Sequence, residues 1–327
     1  MTRARLASVP TPEDRGKGSP SATADELFAQ FSEGPPEQSA LLVGVCSYKN
    51  DPLRKLSSPC NDVWEFAHLL VSQYGYDSKR VVILMDRDAK LAHPEYKNHL
   101  QVAGEPTEQE IRSWVESFNT RVKPTRKLRA FLFYFSGHGE LAGSSLAYLL
   151  PSNWEADRKR GRSHDGAGIN IATITNYIDQ RIKPTHSLIL LDNCFSGLAT
   201  GKGSSADEII RARWREQARF VMSASGAGEE AQERRDGSHS VFTQALLEGL
   251  DTLHGVAPAD VSGPGVGDDP DGIVTTEELY RWVQRRTAEL AKRDNLPKQS
   301  PQFAPLDSLD AGQFLMVGPN WQSGLQK

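Results

Sequence analysis

The sequence predicts an α/β fold in which a mostly parallel central sheet is flanked by helices. Three observations carry that reading. Short apolar runs without polar alternation recur along the chain, as strands buried on both faces require. Segments with apolar residues at helical spacing separate them. The two most apolar runs, Phe131–Phe135 and Leu188–Leu191, stop abruptly at small and polar residues: Ser136-Gly137-His138-Gly139 and Asp192-Asn193-Cys194-Phe195-Ser196-Gly197. In open parallel sheets ligands bind beyond the carboxyl ends of the strands, so His138 and Cys194 are expected on one rim.

Taken in order, residues 1 to about 38 are rich in Pro, Ser, Gly and charge, with one short apolar cluster at Leu27-Phe28. This composition reads as a flexible N-terminal tail, or a pro-segment covering the site. Leu41–Val45 is a first strand, with Cys46 beside it in the core. Asn61–Tyr74 places Val63, Phe66, Ala67, Leu70 and Val71 at helical spacing, with Asp62 where a carboxylate favours the helix start. Val81–Met85 is a second strand, 86–106 a polar loop, and Thr107–Phe118 a helix with Thr107 and Glu110 placed as a capping box.

Leu128–Phe135 is the third strand, and Ala147–Leu150 a short one leading into a polar, basic loop at 154–168. Ile169–Ile182 reads as a helix and Leu188–Leu191 as the fourth strand. A stretch of small and then charged residues fills 198–217 before a fifth strand at Phe220–Ala224 and a helix at Phe242–Leu250. A Gly/Pro/Asp loop covers 251–272. Thr275 then opens a helix with Glu278 completing a second capping box, and Phe314–Val317 is a last strand.

The bulk properties narrow the function. The chain has 327 residues, 38% hydrophobic and 24% charged, enough for a sizeable core. A net charge of -4 without a long basic run argues against nucleic acid. No apolar stretch is long enough to span a membrane, and no apolar segment follows the basic N-terminus as in a signal peptide. Three cysteines, Cys46, Cys60 and Cys194, are odd in number and without close spacing. They suggest neither a disulfide framework nor a zinc site, and a cytoplasmic protein whose Cys194 is free to react.

A free thiol is largely protonated at neutral pH, and a neighbouring imidazole stabilises the thiolate or takes its proton. Cys194 and His138 therefore form a candidate nucleophile and base. The glycines around His138 bring backbone close to a substrate, and the N–H groups of Gly139 and Cys194 are candidate oxyanion donors.

These residues resemble the caspase-like clan of cysteine peptidases, and within it the metacaspases and related bacterial proteins. The histidine box of that clan, a hydrophobic strand ending in Ser-Gly-His-Gly, corresponds to Ser136–Gly139. Its cysteine box, Asp-x-Cys-x-Ser-Gly, corresponds to Asp192–Gly197. The separation, 194 − 138 = 56 residues, agrees with a His about 50 residues upstream of the Cys. The resemblance covers about residues 40 to 318. It implies a caspase-like three-layer sandwich at 39–327, and a Cys194–His138 dyad hydrolysing peptide bonds through a thioester with no cofactor.

Caspases cut after Asp, whereas metacaspases cut after Arg or Lys with an acidic pocket. The metacaspase pocket corresponds here to Asp192, Ser136 and Asp62. This chain departs from the usual Cys-x-Asn-Asp at the last position, having Pro59-Cys60-Asn61-Asp62. Two carboxylates in a partly desolvated pocket repel unless a cation enters, and a guanidinium satisfies them bidentately.

Loop cleavage often activates such proteins, so Lys202, Arg211, Arg213 and Arg215 are processing candidates, with Arg158, Arg160 and Arg162 a second group. The cut would be made by the chain itself or by an upstream activating protease. Many metacaspases need calcium. The run Asp268-Asp269-Pro270-Asp271-Gly272 puts Gly267 where an EF-hand loop requires a carboxylate, so no metal is predicted. The expected partners are proteins with Arg or Lys before the cleaved bond, in a bacterial stress or defence pathway by family analogy. Two other readings are a catalytically silent scaffold that binds partners, and Cys-dependent acyl transfer on a small molecule in a closed pocket.

Overall fold

The computed structural model describes residues 37–51, 54–124, 128–142, 146–154, 168–193, 218–226, 229–261, 270, 272–306 and 314–319. In chain order these form β1 (Gln38–Gly44), α1 (Pro59–Gln73), β2 (Val81–Met85), β3 (Val102–Gly104), α2 (Glu108–Val122) and β4 (Ala130–Ser136). Next come β5 (Gly139–Ala142), β6 (Leu146–Leu149), β7 (Ile169–Asn170), α3 (Ile171–Tyr177), β8 (His186–Asp192) and β9 (Ala218–Ser223). The chain closes with α4 (Val241–Leu250), β10 (Ile273–Thr275), α5 (Thr276–Arg293), β11 (Gln302–Pro305) and β12 (Leu315–Val317).

The main sheet has the order β11-β9-β8-β4-β1-β2-β3, with every pairing parallel except β11 against β9. The chain winds outward from β1 through β2 to β3, then returns to the other side at β4. The point where the order reverses lies between β1 and β4, and crevices form there at the carboxyl ends of strands.

Alternate side chains of each central strand enter different cores. Leu132, Tyr134, Leu188 and Leu190 pack with Phe66 and Leu70 of α1, Phe242 and Leu246 of α4, and Val283 of α5. Phe131, Phe133, Phe135, Ile189 and Leu191 pack with Ile111 and Val115 of α2 and Ile174 of α3. Burial on both faces explains the unbroken apolar runs and gives the three-layer sandwich expected from the sequence.

Several local expectations are corrected. The stretch 86–106 is more than a loop: it contains a 3₁₀ turn at Pro94–Asn98 and the edge strand β3. The helix expected at Ile169–Ile182 begins as β7 and ends in a π-turn at Ile178–Ile182. The strand expected last pairs with β10 outside the main sheet, whose final strand is β11. At Thr107 the hydroxyl accepts from Glu110 N at 3.3 Å, the first half of a capping box, whereas the box at Thr275 and Glu278 is complete.

The cysteine reading is also corrected. Cys46, just past β1, is joined by a disulfide to Cys60 in the first turn of α1, with Cα atoms 5.9 Å apart. That bond removes the ground on which a reducing compartment was inferred. No helix among the described residues is long and apolar enough to cross a membrane.

Candidate active site at the rim of the sheet

The ends of three adjacent strands set the site. In register, Gly44 of β1 lies beside Ser136 of β4, and Ser136 beside Asp192 of β8. Ser136 of the histidine box and Asp192 of the cysteine box are thus neighbours because their strands are hydrogen-bonded side by side. Asp62 reaches this rim because α1 starts almost in contact with β1. A Cβ on Gly44 would lie 2.5 Å from Pro59 O, so a larger residue there would push the helix away.

His138 is half-buried. Its N–H donates to Tyr48 Oη at 2.7 Å, and its ring Nε2 lies 2.9 Å from the carbonyl oxygen of Arg54. A carbonyl only accepts, so Nε2 carries the proton and Nδ1 of the neutral ring carries the lone pair. Burial holds the ring below the usual histidine range, which favours the neutral base. The Arg54 side chain is itself fixed: it meets Glu140 at 3.1 Å and stacks over Trp154 at 4.5 Å. Gly139 opens β5 opposite Leu149.

The same loop, 46–58, walls a cavity. Its start is tied to Asp86, which accepts from Cys46 N at 2.8 Å and Ser47 N at 3.0 Å. Its end is tied to Glu233, whose Oε1 accepts from Ser57 N at 2.7 Å, Ser58 N at 2.7 Å and Ser58 Oγ at 2.8 Å. The cavity measures about 440 Å³. Ser136, His138 and Asp192 line it at the strand ends, with Ser58 from the loop, Pro59 from the start of α1, and Glu230 and Glu233. No lysine or arginine is among the described residues that line it.

The two carboxylates predicted for the pocket occupy different places. Asp192 lines the cavity. Its Oδ2 accepts from Thr243 Oγ1 at 2.8 Å and from Ser240 Oγ, with Tyr134 Oη at 3.4 Å. All these contacts fall on Oδ2, and Oδ1 has no partner among the described residues. Burial, and then the neighbouring charge of Asp62, push its carboxyl up to about 7.

Asp62 is fully buried and does not line the cavity. Its Oδ2 accepts from Ser136 Oγ at 3.0 Å, and its Oδ1 faces His239 Nδ1 at 2.9 Å and Ser240 N at 3.1 Å. Burial raises the Asp62 carboxyl, against the opposing pull of these donors. The expectation that Asp62 itself forms the pocket surface is therefore corrected: Ser136 stands between it and the cavity.

His239 and Glu233 were not singled out in the sequence. His239 bridges Asp62 and Glu65, its Nε2 lying 3.1 Å from Glu65 Oε2. Sequence offers a weak signal for it, as the residue before the Ser240 N-cap of α4. Glu233 is one of three nearby glutamates, and nothing local marks it. Cys194, Lys202, Arg211, Arg213, Arg215, Arg158, Arg160 and Arg162 lie outside the described residues, as do Asp268, Asp269, Asp271 and residues 1–36. Among the described residues one group of metal-ligand type, Cys46, Cys60 and Asp86, brings three candidate atoms within 4.8 Å of one another. The Cys46–Cys60 bond engages both sulfurs, so that group offers no thiolate.

A mostly parallel sheet that ends one strand at Ser136-Gly137-His138-Gly139 and the next at Asp192-Asn193 sets the site. Residues 37–303 match the family described as the caspase domain, and the chain belongs to that family. Membership points to a cysteine peptidase, with proteins as its general substrate class. The solved structures it is similar to include caspase-1 from Spodoptera frugiperda, at 13% identity and TM-score 0.46, covering 82% of this chain and 86% of that one. Another is protein GSU0716 from Geobacter sulfurreducens, at 14% identity and TM-score 0.49, covering 85% and 97%. No curated protein matches the sequence.

Proposed function

We propose that the chain is a cysteine endopeptidase that cuts after Arg or Lys, as metacaspases do. The observation that supports this most is the cavity beside His138, lined by Asp192, Glu230 and Glu233 with no described cation on its wall. An arginine or lysine side chain entering it restores the ionisation of Asp192, which burial disfavours.

In this reading His138 Nδ1 takes the proton of the Cys194 thiol, and the thiolate attacks the scissile carbonyl. The amides of Gly139 and Cys194 receive the oxyanion. The C–N bond breaks as His138 returns the proton to the leaving amine, and water then hydrolyses the thioester. No metal or cofactor enters these steps. Cleavage at Lys202, Arg211, Arg213 or Arg215, or at Arg158, Arg160 or Arg162, by the chain itself or by an upstream protease, activates it. A role in a bacterial stress or defence pathway rests on family analogy.

Hydrolysis of fluorogenic peptides ending in Arg, Lys or Asp by the wild type and Cys194→Ala tests the reading. Cleavage after Arg or Lys that vanishes in the variant is expected. Cleavage after Asp would retain the dyad and remove the acidic specificity. Intact mass of the two proteins tests self-processing, with the variant expected to stay uncut.

A further inference from the structure

Asp62 and Glu65 lie one turn apart on α1, and His239 enters between them from the residue ahead of Ser240. Both ring nitrogens face carboxylate oxygens, Nδ1 at 2.9 Å from Asp62 and Nε2 at 3.1 Å from Glu65. Ionised carboxylates only accept, and a neutral imidazole has a single N–H, so with Asp62 and Glu65 ionised the two contacts together call for the doubly protonated ring. The side chain is 8% exposed, so solvent screens the arrangement little. The described charged groups that act most strongly on the ring are Asp62 and Glu65 from α1, and Asp236 from its own loop adds a further acidic charge. Burial alone would depress this histidine, but the bonds and charges of Asp62 and Glu65 outweigh it and raise it to about 9.

We propose that His239 decides which carboxylate reads the substrate: it cancels the charge of Asp62 behind Ser136, leaving Asp192 and Glu233 to receive the substrate's cation. This rests on the acidic specificity pocket proposed above and departs from what the metacaspase resemblance assigns to Asp62. The geometry carries it. Both oxygens of Asp62 are occupied by donors of the chain itself, and the residue is absent from the cavity wall. Asp192 turns all its side-chain bonds to one oxygen and is among the residues that line the cavity. His239 acts through Asp62 and touches no substrate, so it is a positioning residue.

The test begins with wild-type cleavage after Arg, Lys and Asp. Absence of cleavage after Arg and Lys removes the reading on which this proposal rests, and it is seen before any variant is made. With that cleavage in hand, Asp62→Asn/His239→Gln removes the pair together and is expected to keep kcat/KM on Arg peptides within about threefold. Asp192→Asn is expected to lose about a hundredfold, mostly in KM. Asp62→Asn alone leaves an imidazolium beneath the cavity. It is expected to raise KM about tenfold at pH 7, with recovery as pH rises and the ring loses its proton.

A double variant as impaired as Asp192→Asn would overturn the proposal, because Asp62 would then be reading the substrate. A second measurement needs neither variants nor activity. Ring ¹⁵N shifts of His239 in the wild type at pH 7.5 are expected to show both nitrogens protonated, and a single protonated nitrogen would overturn it.

Discussion

Asp62 and Asp192 share one rim, both buried, and are held in opposite ways. Asp62 is surrounded by the His239 imidazole, a backbone N–H and a hydroxyl that fill both its oxygens. Asp192 is held by hydroxyl groups on one oxygen only. A buried carboxylate with a built-in counterion has its charge satisfied before substrate arrives. Burial raises both carboxyls, but the one held by neutral donors alone still lacks a counterion. The first arrangement suits structure and the second suits binding, because only the second improves when a cation enters.

The largest effect that would break this comparison is at Asp192. Asp192→Asn is expected to lower kcat/KM on Arg peptides by about a hundredfold while leaving stability equal or higher, read by denaturant titration. Unchanged activity would make Asp192 a structural residue like its neighbour. Asp62→Asn is expected to reverse the emphasis, costing about 3 kcal/mol of stability because His239 loses one of its two carboxylates. A variant as stable as the wild type would show that the Asp62–His239 contact contributes little.

Proton linkage sharpens the contrast. His239 titrates near 9 in the fold against 6.5 as its ordinary value. Its contribution is therefore fully present below pH 6.5 and is lost as pH rises through 9, amounting to about 3 kcal/mol. Asp192 titrates near 7 against an ordinary 3.8, so the stability tied to its protonated form is lost earlier, as pH rises from 3.8 through 7. Unfolding midpoints measured between pH 4 and 10 are expected to fall in two stages, with His239→Gln removing the alkaline one. The smallest effect is at Thr243. Thr243→Val removes one hydroxyl from Asp192 Oδ2, with an expected cost of about 1 kcal/mol and a melting point lower by about 2 °C.

The strands at the centre of the sheet were legible because burial on both faces leaves no polar residue to blur them. Val81–Met85 matches β2 at both ends. The strand β11, Gln302–Pro305, was not, since a four-residue edge strand with polar and proline ends carries no such run. The π-turn after α3 was hidden for a related reason: its apolar spacing continues that of the helix while the hydrogen bonding changes. That Ser136, His138 and Asp192 meet at one rim was readable because short boxes close two adjacent strands. His239 was not, because its meaning lies in a contact with Asp62 that spans 177 residues. Glu233 likewise acquires a role only by gripping Ser57 and Ser58 across the fold.

The Cys46–Cys60 bond brackets the loop whose Tyr48 and Arg54 hold His138 and whose Ser58 walls the cavity. Two sulfur centres then make opposite demands on the supply of electrons. In the proposed mechanism Cys194 must be reduced to attack a carbonyl, whereas the bracket exists only when oxidised. On that proposal added thiol keeps the nucleophile reduced and, once it also opens the Cys46–Cys60 bond, frees the loop that holds His138. Activity plotted against thiol concentration should climb, peak and decline, and in Cys46→Ser/Cys60→Ser it should climb to a plateau.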